Sequence, residues 1–207
     1  ARLRIEYGVM ENGWVSGREI DVFGTKDNGD PFVLNRSGTF QNTDYAVSST
    51  DLLHGLTPTL VGTLGDPVTN LNNGVFNEVT FNNDETLTYA LDLVTSPYGY
   101  NLTEIRTYGR HADDGRDGQN YRIEVSFVGT PDTFALLADV FYNPNTGLNP
   151  SNTETSIQPG AGYLAERVAK IRFNFTVGQE NGWVKYCELD VQGVPVPPPS
   201  GAVVMFR

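Results

Sequence analysis

The densest run of chemically capable side chains is Arg110-His111-Ala112-Asp113-Asp114-Gly115-Arg116-Asp117-Gly118-Gln119. Hard cations take several oxygen ligands, so Asp113, Asp114 and Asp117, with glycines that let carbonyls approach closely, could form a calcium site. The run lacks the spacing and the terminal Glu of a helix-loop-helix calcium loop. The same residues equally suit a solvated turn in which Arg110 and Arg116 neutralise the acids. Calcium is the one cofactor the sequence raises, and both readings stay open. Arg110, His111, Tyr142 and Asn143 are a second set, of types that hydrogen-bond sugar hydroxyls and stack on a sugar face. Tyr98 and Tyr100, with Glu180 and Asn181, offer a similar set elsewhere. The only histidines, His54 and His111, are far apart, and no Gly-x-Ser-x-Gly, phosphate loop or His-x-x-x-His pair occurs. Nothing in the spacing of the acids marks a hydrolytic pair, so the chain is expected to be non-catalytic. The single cysteine, Cys187, excludes an internal disulfide.

Charge and composition narrow the partners. Fourteen basic against 25 acidic side chains give a net charge of −11, opposite in sign to the footprint that neutralises phosphates, so nucleic acid is not expected. No stretch approaches the ~20 apolar residues needed to span a bilayer. The chain opens with Ala1 rather than Met, which reads as a processed or excerpted, exported bacterial chain. In that setting the triplets at Asn35, Asn101 and Asn174 are chance matches to the glycosylation pattern.

Strands must position these residues, because helical periodicity is nearly absent. Alternating apolar and polar residues predict strands over 3–7, 14–23, 32–34, 45–48, 77–81, 86–94, 102–108, 121–127, 134–142, 168–175 and 183–191, with a short helical turn at 49–54. Such a series without intervening helices predicts an all-β antiparallel sandwich. If successive connections alternate ends, 82–85, 110–119 and 143–162 share one end, and 95–101, 129–132 and 177–182 the other.

The chain also repeats itself. Residues 1–24 align with 169–193 with one extra residue, Gly178, and 12 of the 24 aligned positions are identical, among them Glu11-Asn12-Gly13-Trp14-Val15 against Glu180-Asn181-Gly182-Trp183-Val184. The expected shared structure is two strands joined by an Asn-Gly turn. The chain then divides into an orphan strand pair (1–24), one whole unit (25–193) and a Pro-rich tail (194–207) ending in a short apolar strand. Cys187 aligns with Arg18, which predicts a position outside the deep core and an inert thiol.

Several ordered pieces of 25–193 carry a resemblance: Leu71-Asn72-Asn73-Gly74, Tyr89-Ala90-Leu91-Asp92-Leu93, the 102–108 strand, the 121–126 strand followed by Gly129 and Phe134, then Arg167-Val168-Ala169-Lys170-Ile171-Arg172 and Glu188-Leu189-Asp190-Val191-Gln192-Gly193. In that order they resemble the discoidin-like, or galactose-binding-like, domains of the coagulation-factor C-type family. The resemblance implies a jelly-roll sandwich, here with an extra N-terminal strand pair and an extended C-terminal tail. The tail, beginning Val194-Pro195-Val196-Pro197, resembles a degenerate form of bacterial Val-Pro-Glu-Pro sorting tails, without the Glu and without the full apolar span. The Gly115-Arg116-Asp117-Gly118-Gln119 loop is similar to one in exported proteins of planctomycete-type bacteria that carry such tails.

Two functions follow as expectations. In the first, the chain is an extracellular or cell-surface structural and adhesive subunit that binds copies of itself or adjacent repeats. A hairpin alone cannot bury its apolar face, so Leu3, Ile5, Tyr7, Trp14, Ile20 and Val22, with Val203, Val204 and Phe206 of the tail, would make strand contacts that build a filament or array. In the second, it is a carbohydrate-binding module from a larger secreted protein, with glycans as partners.

Overall fold

The computed structural model describes residues 32–37, 45–81, 84–111, 116, 118–142, 151–175 and 183–199. The chain divides into two units, Ala1–Asp30 and Pro31–Arg207. Every element described below belongs to the second. The N-terminal assembly residues, the calcium candidates Asp113, Asp114 and Asp117, Asn143, and Val203, Val204 and Phe206 lie outside the described residues.

Ten strands are described: β1 (Phe32–Ser37), β2 (Thr59–Val61), β3 (Val79–Phe81), β4 (Glu85–Ala90), β5 (Tyr100–His111), β6 (Gln119–Phe127), β7 (Thr130–Tyr142), β8 (Ser151–Pro159), β9 (Ala165–Phe175) and β10 (Val184–Pro195). Every ladder among them is antiparallel. One layer runs β1-β8-β5-β10-β3. The other runs β2-β4-β9-β6-β7. The layers join where Tyr100 and Leu102 of β5 pair with Val168 and Ala165 of β9. The expected sandwich is therefore the observed one.

Alternation explains the core. In β6, Tyr121, Ile123 and Val125 turn inward, and in β9 Ile171, Phe173 and Phe175 do the same; all are buried. They meet Ile105, Leu189, Val191 and Tyr186 of the facing layer in one hydrophobic cluster. The interior is not wholly apolar. Thr107 hydrogen-bonds Gln119, and its hydroxyl lies 2.6 Å from both the Tyr121 and the Thr155 hydroxyls. The Gln119 amide donates to the Thr107 carbonyl at 3.2 Å and to Thr153 at 3.1 Å. Buried polar groups need such partners, and because these come from both layers the network also fixes their relative register.

Three sequence expectations need correction. Residues 45–48 are not a strand and 49–54 are not helical: the chain turns at Ser49-Thr50 and makes one bridge, Asp51 with Gln192. The polar Asp, Ser and Thr side chains there bond local backbone, as Asp51 does with the Leu53 N–H, and so favour a turn. Secondly, 143–162 is not one loop, because it contains β8, whose Ser-Asn-Thr-Glu-Thr-Ser run carries no apolar alternation. One unnoticed strand reverses the end to which the next connection belongs. Phe175 pairs with Glu85 and Tyr121, so β9 finishes at the end of the sandwich where β4 and β6 begin. Thirdly, 169–193 is not a hairpin. β9 pairs with β4 and β6, whereas β10 pairs with β3 and β5 in the opposite layer. Phe175 and Tyr186 face each other across the core with ring centroids 4.8 Å apart.

Candidate functional site

A polar pocket of about 350 Å³ opens on the outer face of the first layer, lined by Tyr45, Ser48, Thr50, Thr103, Glu104, Arg106, Tyr108, Asp190 and Gln192 among others. Strand alternation supplies its floor. With Ile105 and Thr107 turned inward, Glu104, Arg106 and Tyr108 of β5 must face out. The neighbouring strands place Asp190 opposite Arg106, Gln192 opposite Glu104, and Ser156 opposite Arg106 on the other side. A register shift between Tyr186 and Glu188 in β10 resets its alternation, so that Leu189 and Val191 enter the core while Asp190 and Gln192 face the pocket.

The wall is the 45–53 segment. β3 pairs with only three residues of β10, and beyond it Leu52 donates to the Val191 carbonyl at 2.7 Å while Gly193 donates to the Thr50 carbonyl at 3.2 Å. Gly193 is required there: a Cβ would lie 2.6 Å from Leu52 Cδ1 and 2.9 Å from the Asn101 carbonyl. Asp51 Oδ1 accepts from the Val191 N–H at 2.9 Å, and Thr50 donates to Gln192 Oε1 at 2.5 Å. The segment then brings Tyr45 over the sheet, where it forms an edge-to-face trio with Phe76 and Tyr108 at centroid distances of 4.7 and 5.3 Å.

The electrostatics divide into two halves. In the first, Glu104 Oε1 accepts from Arg106 Nε at 2.8 Å, from the Ser156 hydroxyl at 2.6 Å and from Gln158 at 2.8 Å. Burial pushes this carboxyl up, but the three donors and the guanidinium together outweigh it and hold the group below its ordinary value. The second half is three acids. The Tyr45 hydroxyl donates to Asp190 Oδ1 at 3.0 Å, and Glu188 Oε1 accepts from the Gly74 N–H at 3.0 Å. Glu188 is 0% exposed and its Oε2 has no hydrogen-bond partner among the described residues. Burial, then the neighbouring Asp190 and Asp51, pushes Glu188 up to about 8. Burial and Asp51 likewise push Asp190 up to about 7, and burial raises Asp51. The Tyr45 phenol is driven far above its usual range, first by burial and then by these acids, so it acts only as a donor.

The residues chosen from sequence fall elsewhere. Arg110 faces outward on β5, 3.6 Å from Glu78, which also accepts from Lys185 at 2.7 Å. His111, one residue on, turns to the other side and is buried, with Nε2 3.5 Å from Arg116 Nη1. Tyr142 belongs to the second layer, opposite Gln119. Arg110 and His111 thus point to opposite faces and do not form one site. Among the described residues no group of three His, Cys, Asp or Glu side chains is placed to hold a metal, and no helix is long and apolar enough to cross a membrane. Tyr45, Glu104, Arg106, Asp190 and Gln192 were missed, although the recurrence of Glu188-x-Asp190 as Glu19-x-Asp21 in the repeat was a signal for part of the set.

Cys187 corrects one expectation. It is fully buried beside Tyr108, not at a charge-tolerant position, because the register shift of β10 turns it under the Tyr108 ring. Burial, followed by Glu78, pushes its thiol up to about 12. A thiol-specific chromogenic reagent should leave the native protein unlabelled and react fully only in denaturant; rapid native labelling would contradict this burial.

A second depression of about 340 Å³ lies on the outer face of the other layer, between Asn120, Arg122, Asp139, Phe141 and Asn174. Its charged groups already pair, Arg122 Nε lying 2.9 Å from Asp139.

No protein-family model matches the chain, and no curated protein matches it. Among solved structures it is similar to truncated AlyQ with CBM32 and alginate lyase domains, at TM-score 0.48 and 13% identity over 70% of this chain and 34% of that one. It is also similar to the CBM32-1 and CBM32-2 domains of Clostridium perfringens ZmpB, at TM-score 0.51 and 13% identity over 83% of this chain and 43% of that one. A third is the family 32 CBM of C. perfringens NanJ in complex with galactose, at TM-score 0.45 and 16% identity over 66% of this chain and 92% of that one. This chain therefore spans about a third of the truncated AlyQ chain and under half of the two-domain ZmpB chain. At this identity the likeness to the ZmpB domains shows the fold alone, a β-sandwich.

Proposed function

We propose that the sandwich is a non-catalytic glycan-binding module of an exported protein, with its ligand in the pocket between the 45–53 segment and strands β5 and β10. The observation that carries this reading is the pocket's chemistry: carboxylate, guanidinium, amide and hydroxyl groups converge in a volume of about 350 Å³, at the small end of the ~300–1,000 Å³ of ligand sites. Sugar hydroxyls both donate and accept, and only a mixed set of this kind satisfies them. The fold shared with the ZmpB CBM32 domains agrees with the reading. A hydrolytic role for the raised Glu188 is disfavoured by its complete burial, which keeps it from a substrate. The self-assembly expectation rests on residues 1–24 and the 194–207 tail, and no observation among the described residues favours it over glycan binding.

Arg106→Ala and Gln192→Ala should each weaken binding of a neutral oligosaccharide, identified on a glycan array, by about tenfold, since each removes a hydrogen-bonding group from the pocket lining. Titration calorimetry measures this. Affinity unchanged in both variants, or no glycan bound at all, would remove the basis of the proposal.

A further inference from the structure

The pocket and the layer behind it crowd five carboxyl groups around one guanidinium. Glu188 is repelled by Asp190 and Asp51, Asp190 by Asp51 and Glu104, and Glu154 by Glu104. Arg106 is committed to one side, with Nε 2.8 Å from Glu104 and Nη1 4.0 Å from Glu154. Asp51, Glu188 and Asp190 are held instead by the Tyr45 hydroxyl and the backbone N–H groups of Gly74, Leu53 and Val191. Arg106 draws on Asp190 only through space, whereas His54 acts on Asp51 both through space and through its backbone N–H.

We infer that this site is shaped for a glycan carrying a protonated amine, an amino sugar whose nitrogen is free, with the ammonium docked against Asp190. The inference rests on the glycan-binding reading and adds the class of sugar. Three observations support it. Glu188 lies wholly buried two residues before Asp190 in β10, with Oε2 lacking a hydrogen-bond partner among the described residues, and a positive charge docked at Asp190 relieves the crowding of these acids. The three acids do not converge on one point as a metal ion requires, but a compact ammonium needs only one or two acceptors and leaves the rest of the sugar free to hydrogen-bond. Ser48, Thr50, Thr103 and Gln192 line the same pocket and suit ring hydroxyls. The sequence adds a fourth: Glu188 and Asp190 are both among the identical positions of the internal repeat, as Glu19 and Asp21. By the same electrostatics, glycans bearing carboxylates are repelled.

The test is calorimetric titration of the full chain near neutral pH, where a docked ammonium draws Asp190 into its charged form, with short oligomers of glucosamine, of N-acetylglucosamine and of galacturonic acid, and with a simple diamine. The glucosamine oligomer is expected to bind about tenfold or more tighter than its acetylated counterpart, because a hydrogen bond between charged groups is exchanged for a neutral one. The galacturonate should bind weakest. Asp190→Asn should bring the ratio close to one. Glu104→Gln, on the pocket floor beside Arg106, should reduce it in part and serves as a second probe should the first variant misfold. Equal binding of amine and acetylated oligomers, both lost in Gln192→Ala, would overturn this inference while leaving the glycan site intact. A diamine that binds as tightly as the glucosamine oligomer would overturn the glycan reading itself. Preference for galacturonate, or an amine preference unchanged in Asp190→Asn, would overturn the assignment of Asp190.

Discussion

Replacing Phe175 by Ala is expected to cost about 3–5 kcal/mol of folding stability, the usual cost of removing a buried aromatic side chain. Phe175 lies in β9, the middle strand of its layer, and is almost wholly buried. Its ring centroid is 4.4 Å from Phe81, 4.8 Å from Tyr186, 5.8 Å from Tyr121 and 6.2 Å from Phe173. Phe81 and Tyr186 belong to the opposite layer, so the cavity would open between the sheets, where neither can collapse without breaking its own ladder. The measurement is a urea unfolding curve with a lowered midpoint and an unchanged slope. Leu136→Ala is the control: Leu136 is 56% exposed and its loss should change stability by no more than about 0.5 kcal/mol. A loss below about 1 kcal/mol for Phe175→Ala would show that the two layers do not pack as described.

Stability should fall as pH rises from about 5 to about 8, opposite to the sense of simple acid denaturation. Glu188 is pushed up to about 8 and Asp190 to about 7, from ordinary values of 4.5 and 3.8, and Asp51 is raised as well. Between the ordinary and the raised values the folded chain holds protons that the unfolded chain has released. The stabilisation is therefore complete below the ordinary values and is lost as pH rises through the raised ones. Glu104, held low, contributes in the opposite sense, and its share is lost only as pH falls through its depressed value. A tenfold change in proton affinity corresponds to about 1.4 kcal/mol, but Glu188 and Asp190 repel each other and share one environment with Tyr45, Asp51 and Arg106. A total on the order of 4 kcal/mol, roughly 10 °C in melting temperature for a domain this size, is expected. General repulsion in a chain of net charge −11 acts in the same direction, so the variant is decisive: Glu188→Gln should flatten the slope. A wild-type melting temperature that rises from pH 5 to 8, or an equal slope in Glu188→Gln, would show that these acids are not buried together.

The sandwich was legible because most of its strands carry two-residue alternation that opposing sheets preserve, as in 121–127. β8 was not, because its inward residues Thr153 and Thr155 enter a polar network and so give no apolar signal. Losing that strand reversed only the end at which β9 finishes; Arg110, His111 and Tyr142 do share the expected end, but on different faces and layers, which connection order alone does not reveal. The pocket needed two facts that no local pattern carries. One is the shift in β10 that turns Asp190 outward; the other is the crossing of the 45–53 segment over strands more than 50 residues away in sequence. The repeat pointed at the Glu-x-Asp pair but could not tell which side of the strand it faced. The same repeat misled about the connection, because two strands joined by a short Asn-Gly segment can pair as a hairpin or cross between layers, and alternation is the same in both.

Backbone amide shifts, followed by nuclear magnetic resonance while the tightest-binding neutral oligosaccharide is titrated in, test the glycan site most directly. The pocket on the outer face of the first layer predicts saturable shifts confined to residues 45–50, 103–108 and 190–192. Shifts centred instead on 110–111, 118–120 and 142, at the end of the sandwich, would contradict it.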